Sequence, residues 1–168
     1  LGAVTPIGIG KDAFLEGLRS GRSGISPVTL FRGIASPGGL GGEVKDFTDD
    51  AAKKNWLKDQ RKWIKVMCRE IAMGAASANL ALADCGLNLE AIDRHRLGVE
   101  FGANLMFFMP DSMTDPCKAC QDANGDFQFQ QWGPLGLPKM EPLWLLKYLP
   151  NMPACHIAIS ADAQGPSN

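Results

Sequence analysis

Asn151-Met-Pro-Ala-Cys-His-Ile-Ala-Ile-Ser-Ala-Asp-Ala-Gln-Gly-Pro-Ser-Asn168 carries the clearest structural signal in the chain. Asn151 to Ala163 reads as a helix of small and apolar residues. Pro153 sits in its first turn, where the missing N–H leaves no helical bond unmade. Gly165-Pro166 then turns the chain, because Gly tolerates conformations other residues avoid and Pro cannot extend a helix.

Upstream lies the strongest periodicity. Ile64, Met67, Cys68, Ile71, Ala75, Ala78, Leu82 and Cys85 recur at helical spacing and Gly86 ends the run, which predicts a helix from Ile64 to Cys85. Its centre, Ala72-Met-Gly-Ala-Ala-Ser-Ala78, is small enough for close backbone approach, so this helix is expected inside the core as the most buried element. Cys68 and Cys85 lie on its apolar face and are expected to be core residues. Lys11 to Gly21 predicts a short amphipathic helix with Phe14, Leu15 and Leu18 on its apolar side and Gly21 as cap. The Gly, Pro and Ser of Ser23 to Gly42, including Ser36-Pro-Gly-Gly39, predict loop, with one short edge strand near Glu43 to Phe47. Arg96-Leu-Gly-Val-Glu-Phe-Gly102 predicts a strand after a helix, and hence an α/β unit. Residues 103–139 are irregular, and Met140 to Leu149 predicts a further helical stretch.

With 168 residues the chain is long enough for one well-buried domain. Apolar residues at 45% and charged residues at 21% are ordinary for a globular protein. A net charge of −1 gives no reason to expect a polyanion as main partner. No apolar run approaches the roughly 18 residues a membrane span needs, and no signal peptide opens the chain. Five irregularly spaced cysteines do not suggest a secreted disulfide framework. The cytoplasm is the expected location. Leu1-Gly-Ala-Val-Thr-Pro-Ile-Gly8 reads as the loop after a strand, so the chain is expected to be a fragment.

Several blocks, in order along the chain, resemble the β-ketoacyl synthases, the condensing enzymes of fatty-acid and polyketide synthesis. They are Gly2-Ala-Val-Thr-Pro-Ile-Gly8 with Gly21-Arg-Ser-Gly-Ile25, Gly42-Glu-Val-Lys-Asp-Phe47, and Gln60-Arg-Lys-Trp63 running through the Ala-rich helix to Asp84-Cys-Gly86 and Arg96-Leu-Gly-Val99. The last is Asn151 to Ser167. The chain departs from the family pattern after Val99, where Glu100-Phe-Gly-Ala-Asn-Leu-Met-Phe-Phe108 is bulkier than the family's small, Gly-rich run.

The resemblance implies an α/β, thiolase-like fold with helices packed on a mixed sheet. It takes residues 1–168 as the family's N-terminal domain, the N-terminal half only, truncated at both ends. It implies decarboxylative condensation of an acyl thioester with a malonyl thioester on acyl carrier protein, no metal or organic cofactor, and a homodimeric parent. The nucleophilic cysteine of the family would fall a few residues past Asn168, and its histidines in a later half. The fragment alone is then expected to be inactive. The alternative is a non-catalytic chain-length-factor-like subunit of the same fold, lacking the thiol. By the same resemblance Leu105 would line the acyl pocket, and Met152 and Cys155 would lie at the dimer interface and the partner's pocket. All three read equally well as core apolar residues.

The remaining chemistry-bearing residues have local readings. Cys117-Lys-Ala-Cys120 has the gap of a redox or zinc pair, but no second ligand pair accompanies it, and a variable loop is the other reading. His95 and His156 lack a sequence partner that would mark a catalyst and read as structural. Cys155 precedes the Gly-Pro turn rather than following it and is rejected as nucleophile. Lys53, Lys54, Lys58, Arg61, Lys62 and Lys65 form a basic stretch, readable as a solvated face or as an attraction for an acidic carrier protein.

Overall fold

A computed structural model describes residues 1–30, 39–103 and 109–168. Ser36-Pro-Gly within the expected loop, and Leu105, lie outside the described residues.

The long periodic run divides in two. Ile64–Val66 forms a 3-10 turn, Met67 is extended at φ −108° and ψ 135°, and helix α3 covers Arg69–Cys85. Periodicity carried through the break because Ile64, Val66 and Met67 are all buried, and spacing reports burial rather than hydrogen bonding. Gly86, left-handed at φ 66°, closes the helix where the sequence placed its end. The first half of α3 buries Ile71, Ala72, Gly74, Ala75 and Ala76, with Ala75 only 1% exposed. The second half opens toward solvent, and Cys85 is exposed rather than in the core. The apolar pattern there lines a groove instead of a packed interior.

Helix α5, Met152–Ala161, packs along α3 and buries Pro153, Ala154, His156, Ile157 and Ala161. Helix α2, Asp49–Asn55, begins at Thr48, whose hydroxyl accepts the Ala51 N–H at 3.2 Å. Its Ala52 joins Val44, Phe47, Leu57, Ile64 and Ile71 in the main core, where Phe47 stacks on Trp56 with ring centroids 5.4 Å apart. The edge strand expected at Glu43 to Phe47 is a turn. Arg69 donates to the carbonyls of Val44 and Phe47 and lies 5.8 Å over the Phe47 ring, taking up acceptors a ladder would have used. The strand pairing falls slightly earlier, between β3, Ser26–Pro27, and β4, Leu40–Gly41.

Val4–Thr5 and Gly8–Ile9 form a hairpin, β1 and β2, that feeds helix α1, Lys11–Arg19. Gly17 is the buried contact of α1, since a Cβ there would lie 2.6 Å from the Ile7 carbonyl oxygen. Leu18 is 55% exposed, so the apolar side is narrower than its spacing predicts. Gly21, left-handed at φ 63°, follows the helix as expected.

In place of the strand expected at Arg96–Gly102, Arg94–Arg96 is a 3-10 turn and the residues after it make a single isolated bridge. Val99 pairs in parallel with Ser167. Residues 110–139 hold more helix than their Pro content suggests. Helix α4, Pro110–Ala119, keeps Pro116 inside it, and that ring is fully buried, so packing overrides a residue that breaks exposed helices. Of the stretch Met140 to Leu149, only Trp144–Lys147 is helical, as a 3-10 turn, after Leu143 takes up a left-handed φ of 61°. The described β pairings thus comprise two short antiparallel ladders and two isolated bridges, Val99 with Ser167 in parallel and Gln121 with Phe127 antiparallel, among packed helices. No described helix is long and apolar enough to cross a membrane.

Replacing Ala75 with Leu overpacks the first half of α3, with an expected loss of about 1–3 kcal/mol. Urea unfolding measures it: Ala75→Leu lowers the midpoint, whereas Ala83→Leu, on the exposed end of the same helix, leaves it unchanged. Equal midpoints for both variants would contradict the assigned core.

Candidate functional site

The candidate site is the end of α5 and the turn it enters. Asp162 closes α5 in a left-handed conformation, φ 49°. Arg94 holds this end: its Nη1 donates to the Ala161 carbonyl at 2.8 Å and its Nε lies 3.9 Å from the Asp162 carboxylate. A cation beside unsatisfied C-terminal carbonyls also complements the helix dipole. The Gln164 N–H then donates to the Arg94 carbonyl at 2.9 Å.

Gly165 follows because nothing larger fits. A Cβ at this position would lie 2.7 Å from the Leu97 carbonyl oxygen and 3.0 Å from that of His95. Its N–H donates to the Leu97 carbonyl at 2.9 Å, the Val99 N–H donates to the Pro166 carbonyl at 2.9 Å, and the Phe101 N–H to the Asn168 carbonyl at 2.8 Å. Gly98 is constrained in the same way, with a notional Cβ 2.8 Å from the Pro166 oxygen. The turn is therefore seated by main chain on main chain. Beside it, an apolar groove of about 360 Å³ runs between Gly74, Ala78 and Leu82 of α3, Phe101, and Ile157 and Ala161 of α5.

His156 is 2% exposed, and its Nε2 has no hydrogen-bond partner among the described residues. Burial pushes its pKa below the ordinary value. Its ring meets Trp63 edge-on, with centroids 6.3 Å apart at 61°. Its carbonyl accepts from Gln60 Nε2 at 3.0 Å. Gln60, itself buried, accepts from Asn79 Nδ2 at 3.3 Å, and Asn79 Oδ1 accepts from Ser160 at 3.3 Å. This polar chain tying α3, α5 and the segment before Trp63 had no sequence signal, since lone Gln and Asn residues look like surface.

Of the residues the sequence analysis proposed, Met152 and Cys155 lie three positions apart in the first turn of α5, a spacing that puts them on one side of the helix. Met152 is partly buried against the main core, and Cys155 is half-buried with Asn151 Nδ2 3.8 Å from its sulfur. Cys117 is half-buried in α4 and Cys120 fully buried at its end, where a Cβ on Gly136 would lie 2.9 Å from the Cys120 sulfur. None of the five cysteines is disulfide-bonded, and no group of three His, Cys, Asp or Glu among the described residues is placed to hold a metal ion. Burial pushes the Cys68 thiol up to about 11, leaving it protonated and a poor nucleophile at neutral pH. His95 is exposed in its 3-10 turn. Lys54, Lys58, Arg61, Lys62 and Lys65 are exposed, and they lie on either side of the half-exposed Trp63 in sequence.

Known proteins resemble the chain over most or all of its length. The sequence profile described as Beta-ketoacyl synthase, N-terminal domain, matches residues 1–168. The 3-oxoacyl-[acyl-carrier-protein] synthase 2 of Synechocystis sp. (strain ATCC 27184 / PCC 6803 / Kazusa) is 29% identical over 168 residues, which is 100% of this chain and 36% of that protein. The protein of the same name from Coxiella burnetii (strain RSA 493 / Nine Mile phase I) is 33% identical over 105 residues, 62% of this chain and 24% of that one. The solved structure of the ishigamide ketosynthase/chain length factor superposes with a TM-score of 0.62 at 21% identity, covering 99% of this chain and 37% of that one. The chain thus spans only a part of each relative's length, between 24% and 37%.

The buried His156 gives a pH signature. With its folded pKa below the ordinary value of about 6.5, the unfolded chain binds a proton first as pH falls. Stability is full above that pH and declines as pH falls from there toward the folded value. Denaturation midpoints of wild type and His156→Gln between pH 8 and pH 5 check this. The wild type loses more stability on acidification, and parallel profiles would contradict the assignment.

Proposed function

The chain belongs to the β-ketoacyl synthase family, and on that premise we propose that it forms the N-terminal domain of a condensing enzyme that elongates an acyl thioester with malonyl-acyl carrier protein. The observation that carries the reading is the profile match over residues 1–168, which takes in the Gly165-Pro166-Ser167 turn seated on Leu97 to Phe101. In the proposed reaction a cysteine thiolate takes the acyl group from its carrier and releases the carrier thiol. Loss of carbon dioxide from the malonyl thioester then leaves a carbanion, which attacks the acyl carbon and frees the cysteine. Backbone N–H groups stabilise the oxyanion that forms on the way.

The cysteine of this scheme lies past Asn168, and the histidines that assist decarboxylation lie further on. Residues 1–168 supply the scaffold: α3 and α5 hold the turn from which the nucleophile's segment departs. Met152, Cys155 and Leu105 are proposed near the acyl pocket or the interface of a homodimer working in the cytoplasm. The exposed Arg61, Lys62 and Lys65 suit an acidic carrier protein, because opposite charge steers encounter and is screened by salt.

A second reading is a chain-length-factor-like subunit without the thiol. The fold likeness to a ketosynthase/chain length factor favours keeping it. The residue at the cysteine position separates the two.

Mass spectrometry after incubation with acyl-carrier thioester tests the proposal. The 168-residue chain is expected to take up no site-specific acyl group on any of its five cysteines and to release no carbon dioxide from malonyl thioester. A protein extended through the family's cysteine and histidines does both. Stoichiometric acylation of Cys155 in the short chain would contradict the placement of the nucleophile, and an extended protein with another residue in place of the cysteine would favour the second reading.

A further inference from the structure

The basic face and helix α5 meet at an aromatic contact. Trp63 is 48% exposed and flanked in sequence by Arg61, Lys62 and Lys65. Its indole rests edge-on against the imidazole of His156, which is 2% exposed. With Nε2 bonded to no described residue, the His156 ring is positioned by packing against Trp63 rather than by a directional bond at that nitrogen.

The backbone reinforces the link. The Trp63 N–H donates to the Gln60 carbonyl at 2.8 Å, and the Gln60 side chain donates to the His156 carbonyl at 3.0 Å. The turn that carries Trp63 is therefore bonded to the middle of α5, which runs on to Asp162 and the seated Gly165. A partner drawn to the exposed Arg61 and Lys62 would meet the exposed part of the Trp63 indole, their neighbour in sequence.

We propose that Trp63 is a positioning residue that transmits occupancy of the basic face, by an acidic carrier protein, to His156 and through α5 to the Gly165–Ser167 turn. This rests on the carrier-docking reading above. Its consequence is that the turn preceding the nucleophile's segment responds to whether a carrier is docked, so docking and acyl transfer are coupled.

The chain has two histidines, which makes the imidazole resonances a direct readout, with the exposed His95 as internal reference. Holo acyl carrier protein is added to the 168-residue chain at pH 8 and both His Cε1–H signals are followed by NMR. The His156 signal is expected to move to a plateau with saturation while His95 stays in place. Trp63→Ala is expected to bind the carrier with the His156 response lost, and Trp63→Phe to restore it. Trp63→Leu, which keeps apolar bulk without the ring, supplies the same loss if the alanine variant does not fold. Carrier binding to wild type with a silent His156, or a response that persists without the aromatic ring, overturns the proposal and leaves the docking reading standing. Failure of the wild type to bind the carrier at all removes both.

Discussion

Close packing of α3 against α5 is the constraint from which the rest of the architecture follows. Ala72, Ala75 and Ala76 on one helix and Ala154, Ile157 and Ala161 on the other are buried, and such residues let two backbones approach closely. The alanines each bury little area alone, so the pair depends on fit more than on bulk. The larger apolar side chains, Phe47, Leu57 and Ile71, fill the space beside the first half of α3. Away from this core the second half of α3 lies open beside the Leu97–Phe101 segment, leaving a groove.

Polar ties convert that packing into a defined turn. Arg69 fixes Val44 and Phe47, Arg94 holds the end of α5, and Gln60 binds the α5 backbone at His156. All three are side chain to backbone bonds between segments distant in sequence. They satisfy main-chain acceptors in the turn at Val44 and Phe47 and along helix α5. Gly165 and Gly98 complete the arrangement, because main chain from the partner segment occupies the space a side chain would need.

The sequence made α1, α5, most of α3 and both glycine caps legible because helical spacing and Gly at a helix end are local signals. It misplaced the start of α3 because a 3-10 turn buries Ile64 and Val66 as a helix would. It misjudged Cys85 and Leu18 because apolar character does not say whether a neighbour exists to cover the side chain. Helix α4 was missed because burial of Pro116 depends on tertiary partners. For the site, the Gly-Pro-Ser turn was visible as a word, but its reason was not: the contact with Leu97 joins segments far apart in the chain. Trp63, Gln60 and His156 stood in plain view without any pattern to join them.

Native-state amide hydrogen exchange on the 168-residue chain tests most directly whether α3 and α5 hold the turn. The slowest amides are expected within Ile71–Ala76 and Ile157–Ala161, with Val99, Phe101 and Asn168 protected through their mutual bonds. Slowest exchange within Pro110–Ala119, together with unprotected amides at Val99 and Asn168, would contradict this account.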